Sequence, residues 1–262
     1  MELLHAISWG YVASGFAVGA LVGLTGVGGG SLMTPILILV FGIQPVAAVG
    51  TDLLYAAATK TGGSLVHGFN RMIDWRVVGR LALGSVPAAA AMVLALHFLG
   101  ISGGTANVLV SKVLGGALLV TSAALIFRRW LLEAYAERVG LLAERQTRNY
   151  TILTGVILGV LVSLTSVGAG ALGITALIML YPKLPIAKIA GSDIAHAVPL
   201  TLVAGAGHWM LGSVNLALLG TLLMGSLPGI FLGSALAPRV RDATLRIILA
   251  CVLLLVGAKL LF

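Results

Sequence analysis

Apolar residues fill this chain in long stretches, broken at intervals by glycine, a few hydroxyls and isolated charges. A run of about 18 apolar residues or more can cross a hydrocarbon core about 30 Å thick as a helix. The pattern predicts spans near 7–25, 31–42, 46–68, 77–98 and 105–127, then near 150–166, 170–181, 185–210, 215–236 and 244–261. The second segment of each group is too short to cross fully at about 1.5 Å per residue. The first two segments of each group therefore read as a hairpin. Its Gly-rich tip, 26–30 or 166–170, dips toward the membrane midplane. Irregular backbone at that depth is tolerated only where it is buried or lines a cavity.

The two groups are copies, about 140 residues apart. Thr25-Gly-Val-Gly28-Gly29-Gly30 returns as Thr165-Ser-Val-Gly168-Ala-Gly170, and Gly50-Thr51-Asp52 returns as Gly191-Ser192-Asp193. His67 returns as His208, and Gly84-Ser85-Val86-Pro87 as Gly225-Ser226-Leu227-Pro228. Gly15, Gly19 and Gly23 return as Gly155, Gly159 and Ser163. A tandem repeat in a very apolar chain marks a secondary transporter, whose substrate lies where the halves meet.

Basic residues set the expected sidedness. Arg71, Arg76 and Arg80 flank one loop of the first half, while the matching loop near 211–215 has no Lys or Arg. The loop near 99–104 has none either, while its partner near 238–246 carries Arg239, Arg241 and Arg246. Positive loops stay in the cytoplasm, so matching loops face opposite sides and the repeats are inverted. An odd number of crossings per half requires the same. The segment 128–149, with Arg128, Arg129, Arg138, Arg145 and Arg148, is then a cytoplasmic linker, and both termini face outward. Leu131, Tyr135, Val139 and Leu142 fall at helical spacing, as in a helix lying on the membrane surface. The expected fold is all-α and polytopic: a first repeat over 1–127, the linker, and a second repeat over 150–262, within one integral membrane domain.

Composition supports this picture. The chain has 262 residues, 59% hydrophobic and 9% charged, where soluble domains carry about 25% charged residues. The start, Met1-Glu2-Leu3-Leu4, lacks the positive region of a cleaved signal peptide and reads as leading into the first span. A net charge of +8 fits loops beside anionic lipid, not nucleic-acid binding. The single Cys251 allows no intrachain disulfide, and no spacing suggests a metal site or cofactor.

The candidate chemistry is sparse. Asp52 and Asp193 sit inside spans, where a carboxylate is costly unless paired, hydrated or protonated. They read as gating or proton-carrying groups, or as acceptors that hold the neighbouring Gly-rich turn. His67 and His208 lie about 22 Å further along the same helices, too far to share a ligand with their own aspartates; they read as proton-relay or gating groups, or as interfacial or cavity histidines. His196 is one turn beyond Asp193, and its repeat partner is Tyr55, so Asp193–His196 reads as a proton-handling pair. Lys60, matched by Thr201, is the one lysine deep in a span, suited to an anion or to a carboxylate. At the tips, Gly28, Gly29, Gly30, Ser31, Gly168 and Gly170 precede short helices whose free N–H groups favour anions. Thr25, Ser31, Thr34, Thr51, Thr165, Ser166, Thr175 and Ser192 offer hydroxyls nearby. Close helix packing is the competing use of such glycines.

Gly168-x-Gly170-x-x-Gly173 matches the dinucleotide fingerprint in letters only, because no βαβ unit surrounds it. No nucleophile–base pair argues for an enzyme. A passive anion channel, or a transporter of a different small anion, remains the alternative.

These residues resemble the TauE/SafE sulfite-exporter family over nearly the whole chain. The likeness rests on Gly26-Val-Gly-Gly-Gly30-Ser with Pro35, on Val49-Gly-Thr51-Asp52-Leu-Leu, on Lys60-x-x-Gly63-x-x-x-His67, and on Asp74-Trp75 followed by Leu83-Gly-Ser-Val-Pro87. The second half carries a weaker version, with Ala169 and Ala171 in its tip. The resemblance implies transport of small sulfur-containing anions such as sulfite, sulfoacetate or thiosulfate across a prokaryotic cell membrane. Protons are the expected coupled ion, and no cofactor is implied. Exact substrate, direction and oligomeric state stay open.

Overall fold

A computed structural model describes residues 9–25, 32–69, 71–98, 103–128, 130, 143–236 and 242–262. The predicted tip at 26–30, Ser31 and the linker positions Leu131, Tyr135, Val139 and Leu142 lie outside the described residues. Among those described, the chain is helical throughout, with no strand. The first half contributes α1 (Trp9–Thr25), α2 (Met33–Leu39), α3 (Pro45–Phe69), α4 (Trp75–Phe98) and α5 (Gly103–Ile126). The second contributes α6 (Glu144–Thr165), α7 (Ala171–Leu180), α8 (Ile186–Met210), α9 (Leu216–Leu236) and α10 (Asp242–Leu261). Helices α4, α5, α6, α8 and α9 are long and apolar enough to cross a membrane.

The sequence explains the element ends. Pro45 opens α3, where its missing N–H costs nothing, and Pro185 stands just before α8. Gly42 and Gly212 take positive φ in the turns that precede α3 and α9. Helix α6 starts at Glu144, earlier than its apolar run suggests. Gln146 accepts a hydrogen bond from the Ala143 N–H at 3.1 Å, and Thr151 donates to the Thr147 carbonyl, so polar turns extend the apolar span. The short helices have 7 and 10 residues, and neither can cross a bilayer.

The halves interlock helix by helix. Helix α1 packs along α9, and its repeat partner α6 packs along α4; α3 crosses α8, and α5 packs on α10. Small residues set the first two contacts. A Cβ added at Gly15 or Gly19 would strike the backbone of Leu222 or Ser226, and one at Gly155 or Gly159 would strike Leu81 or Ser85. These are the same contacts made twice. The ascending order of residues on both partners shows that each pair runs parallel.

Helices α3 and α8 run antiparallel. A Cβ at Gly50, near the start of α3, would meet the Ser213 carbonyl and His208 Cβ at the end of α8. A Cβ at Gly191, near the start of α8, would meet the Met72 carbonyl and His67 Cβ at the end of α3. Two matched hydrogen bonds lock this crossing. The Asn215 N–H donates to Thr51 Oγ1 at 3.1 Å, and the Asp74 N–H donates to Ser192 Oγ at 2.8 Å. Asn215 and Asp74 in turn cap α9 and α4, accepting N–H groups of Leu218 and Arg76 at 3.0 Å each.

The tip between α6 and α7 is buried at this crossing. Val167 joins a core with Val18, Met33, Tyr55 and Leu118, all from the first half. Ala169 packs with Val49, Leu53, Ala197 and Leu200 of α3 and α8. Ser166 (φ 58°) and Gly168 (φ 113°) make the reversal. The left-handed conformation is natural for glycine and uncommon for serine.

Candidate functional site

Two carboxylates, one ammonium, three histidines and several hydroxyls line the crossing of α3 and α8 under the buried tip. Asp52 is fully buried on α3. Its Oδ2 accepts the Thr34 hydroxyl at 2.5 Å and the Thr34 N–H at 3.1 Å, so this carboxylate caps the start of α2. Its Oδ1 has no partner. Ser166 Oγ on the tip of the other half faces Asp52 without closing a hydrogen bond.

Asp193 occupies the matching place on α8 at 1% exposure. Its Oδ1 presses against Gly173, in the first turn of α7, where a Cβ would collide with it. The Gly173 and Ile174 N–H groups bond instead to Gly168 and Gly170 of their own tip, and Asp193 Oδ1 has no partner. The two half-sites therefore differ: the helix start of one hairpin is capped by its aspartate, while that of the other closes on its own carbonyls.

Lys60 lies within electrostatic reach of Asp52, Asp193 and His196, yet forms no ion pair with either carboxylate. It keeps some accessible surface, although protein surrounds it. His196 Nε2 sits 2.8 Å from Ser85 Oγ, and its Nδ1 has no partner, so the ring is not hydrogen-bonded to Asp193. The expected Asp193–His196 pair is thus two neighbours, not a bonded couple. Tyr55, the repeat partner of His196, mirrors it: its buried hydroxyl faces Ser226 without a closed hydrogen bond, within electrostatic reach of Asp52.

The antiparallel crossing brings each outer histidine to the other half. His208, near Gly50, approaches the Thr51–Asp52 segment and sets Nε2 at 2.9 Å from the Ser163 carbonyl of α6. His67 stands beside Gly191, next to Ser192 and Asp193. Spacing along one helix excludes contact with its own aspartate; it says nothing about the partner helix.

Several expected donors serve the protein itself. Thr51 and Ser192 accept the cap N–H groups described above, and Ser192 also donates to the Lys188 carbonyl. Thr165 Oγ1 donates to the Leu161 carbonyl and accepts the Val167 N–H, shaping the tip. Gly168 and Gly170 accept α7 N–H groups at 3.2 and 2.9 Å. The side chain of Thr25, with Gly28, Gly29, Gly30 and Ser31, lies outside the described residues. Ser85 and Ser226 were missed as polar partners of the site. Their signal was the repeated Gly-Ser-x-Pro motif, which puts a hydroxyl at equivalent places opposite His196 and Tyr55. No group of His, Cys, Asp or Glu among the described residues could hold a metal ion.

A cleft of about 530 Å³ opens beside the crossing, between Ser64 and Leu65 of α3, Ala195 and Pro199 of α8, and Trp75. At the symmetry-related place Gly205 replaces Ser64 and Leu54 replaces Ala195, and the Leu54 side chain packs onto Gly205. The crossing thus has a cleft beside Ala195, while Leu54 covers Gly205 at the equivalent place.

A polytopic helical bundle that keeps costly buried charges where two copies of a repeat meet defines an integral membrane transporter. The sequence profile described as Sulfite exporter TauE/SafE matches residues 11–260. The chain is 40% identical to Probable membrane transporter protein YjnA of Bacillus subtilis (strain 168) over 251 residues, 95% of this chain and 98% of that one. It is 25% identical over 234 residues to Probable membrane transporter protein YdhB of the same organism, covering 84% and 86% of the two chains. No solved structure matches. The chain belongs to the TauE/SafE sulfite exporter family, whose members are membrane transporters and not enzymes.

Proposed function

We propose that the protein is a secondary transporter of small sulfur-containing anions: sulfite, sulfoacetate or a related organosulfonate, or thiosulfate. It works by alternating access in a prokaryotic cell membrane. The observation that carries this reading is the antiparallel crossing of α3 and α8, with Asp52, Lys60, Asp193 and His196 gathered under the buried tip. Equivalent helices that run antiparallel suit inverted repeats, which rock about a site at their junction. Arg71, Arg76, Arg80, Glu144 and Arg148 gather at one end of the bundle, joined by the 2.9 Å Arg80–Glu144 ion pair. The positive-inside rule makes that end cytoplasmic, with the 128–149 linker, and turns both termini outward. The cleft at Ala195 then opens on the cytoplasmic half of the crossing.

In this reading Lys60, the tip backbone at Gly168 and Gly170 and nearby hydroxyls hold the anion. Asp52, Asp193 and the histidines 67, 196 and 208 carry charge compensation and gating. The test is thermal stabilisation of purified protein by sulfite, thiosulfate, sulfoacetate, taurine and sulfate, with chloride as control. A ligand that binds the folded state raises Tm by mass action. A shift with one sulfur anion that disappears in Lys60→Gln is the expected result. Shifts with none of them, together with no flux in vesicles, would refute the substrate class.

A further inference from the structure

The charges in the site do not balance for an anion carrier. Asp52 and Asp193 face a single ammonium, Lys60, so the ionised cluster holds one negative charge in excess before any substrate arrives. Among the described residues, the groups that face it from the other packed elements are uncharged hydroxyls: Thr34 from α2, Ser85 from α4, Ser166 from the tip and Ser226 from α9. The imidazoles of His196 and His208 on α8 and His67 on α3 stand around them, each with an unpartnered Nδ1. Adding an anion to buried carboxylates raises the energy steeply, because burial removes the water that would screen them.

The orphaned atoms show where compensation enters. Asp52 Oδ1, Tyr55 Oη and Ser166 Oγ are buried and without hydrogen-bond partners; Ser166 faces Asp52, and Tyr55, one turn along α3, lies within its electrostatic reach. Oδ2 of the same carboxylate is already held by Thr34. A buried carboxylate oxygen beside two idle hydroxyl oxygens is a donor set for a small hard cation, or for a proton that one hydroxyl then accepts from. Ser166 belongs to the opposite half and holds a left-handed conformation, so an occupant here bridges the two repeats.

We propose that Asp52, with Tyr55 Oη and Ser166 Oγ, binds a monovalent cation, a proton or a sodium ion, that enters with the substrate anion and travels in the same direction. This rests on the transport reading above and adds its stoichiometric partner. The Asp193–His196 region then serves the anion side with Lys60. The asymmetry between the half-sites follows: only Asp52 has one oxygen fixed by a helix start and the other left for a ligand.

The test is sulfite, sulfoacetate and thiosulfate flux into proteoliposomes under separate inward pH and Na⁺ gradients at fixed membrane potential. Accumulation driven by one of the two gradients names the cation. Asp52→Asn, which keeps an oxygen for Thr34, loses gradient-driven accumulation, and its remaining exchange flux becomes indifferent to both cations. Should that variant fold poorly, Tyr55→Phe keeps the ring in the core and raises the cation concentration needed for half-maximal flux. Wild-type flux that ignores both gradients, or Asp52→Asn accumulating as the wild type does, overturns the cation site and leaves the transport reading standing. A wild-type protein that moves none of the three anions overturns both.

Discussion

Thr51 and Ser192 precede the two aspartates, and each hydroxyl receives the N–H that begins the next membrane helix of the other half. Removing Ser192 Oγ strands the Asp74 N–H at a partly buried junction, which costs up to the roughly 1–3 kcal/mol of a fully buried orphan donor. Ser192→Ala is therefore expected to lower Tm clearly in detergent. Asp74→Asn keeps the side-chain oxygen that caps α4 and should change stability by no more than about 0.5 kcal/mol. If the two variants melt alike, the Asp74–Ser192 bond does not hold the crossing. At this scale the sequence announced the charged members of the site, because Asp52, Lys60 and Asp193 are conspicuous in apolar runs. It did not announce their partners. Thr34 capping with Asp52, Ser85 meeting His196 and His208 reaching Gly50 are contacts between distant segments, and side-chain periodicity reports only which face of its own helix a residue shares.

Among the elements, glycine decides which helices touch. In α4, Gly84 sits against the backbone of Ile152 and Val156 in α6, whereas Gly79 one turn earlier faces open space. A methyl at Gly84 has only main chain to push against, so α4 and α6 must separate; about 1–3 kcal/mol is the usual cost of such overpacking. The methyl at Gly79 meets nothing and relieves the entropy of a helical glycine, a gain of up to about 1 kcal/mol. Gly84→Ala is thus expected to melt below the wild type and Gly79→Ala at or above it; the reverse order would mean that α4 does not pack along α6 as described. The glycine spacing at 15, 19 and 23 marked these faces as packing surfaces in advance. The choice of partner was not legible. A small-residue face fits any similar face, and only the assembled bundle pairs α1 with α9 and α4 with α6 across the two halves. The short second helices were legible, because a glycine-rich break followed by too few residues leaves no way to cross.

For the molecule as a whole, the two copies of the repeat make matching contacts and depart from one another at a few residues. Two observations test the orientation and the cycle separately. With Cys251→Ser as background, cysteines placed by Arg148→Cys and Gln44→Cys should react with an impermeant reagent from opposite faces of the membrane, the first from the cytoplasm; labelling from one face would refute inverted sidedness. In the proposed cycle the two ends of the crossing differ at Ala195 and Leu54, which occupy equivalent places on α8 and α3. At one end Ala195 leaves the cleft beside Ser64, and at the other Leu54 fills the space against Gly205. If the cleft is the open approach to Lys60, a leucine at 195 closes it with the same packing that Leu54 makes against Gly205. Ala195→Leu should then slow anion flux while leaving Tm near that of the wild type, because the added side chain enters vacant volume. Leu54→Ala does the opposite: it opens the far end and empties a packed position, at about 2–5 kcal/mol if fully buried and less here, where Leu54 is only partly covered. An Ala195→Leu protein that transports at the wild-type rate would show that the cleft lies off the substrate's route, and that the difference between the two ends has another cause than access.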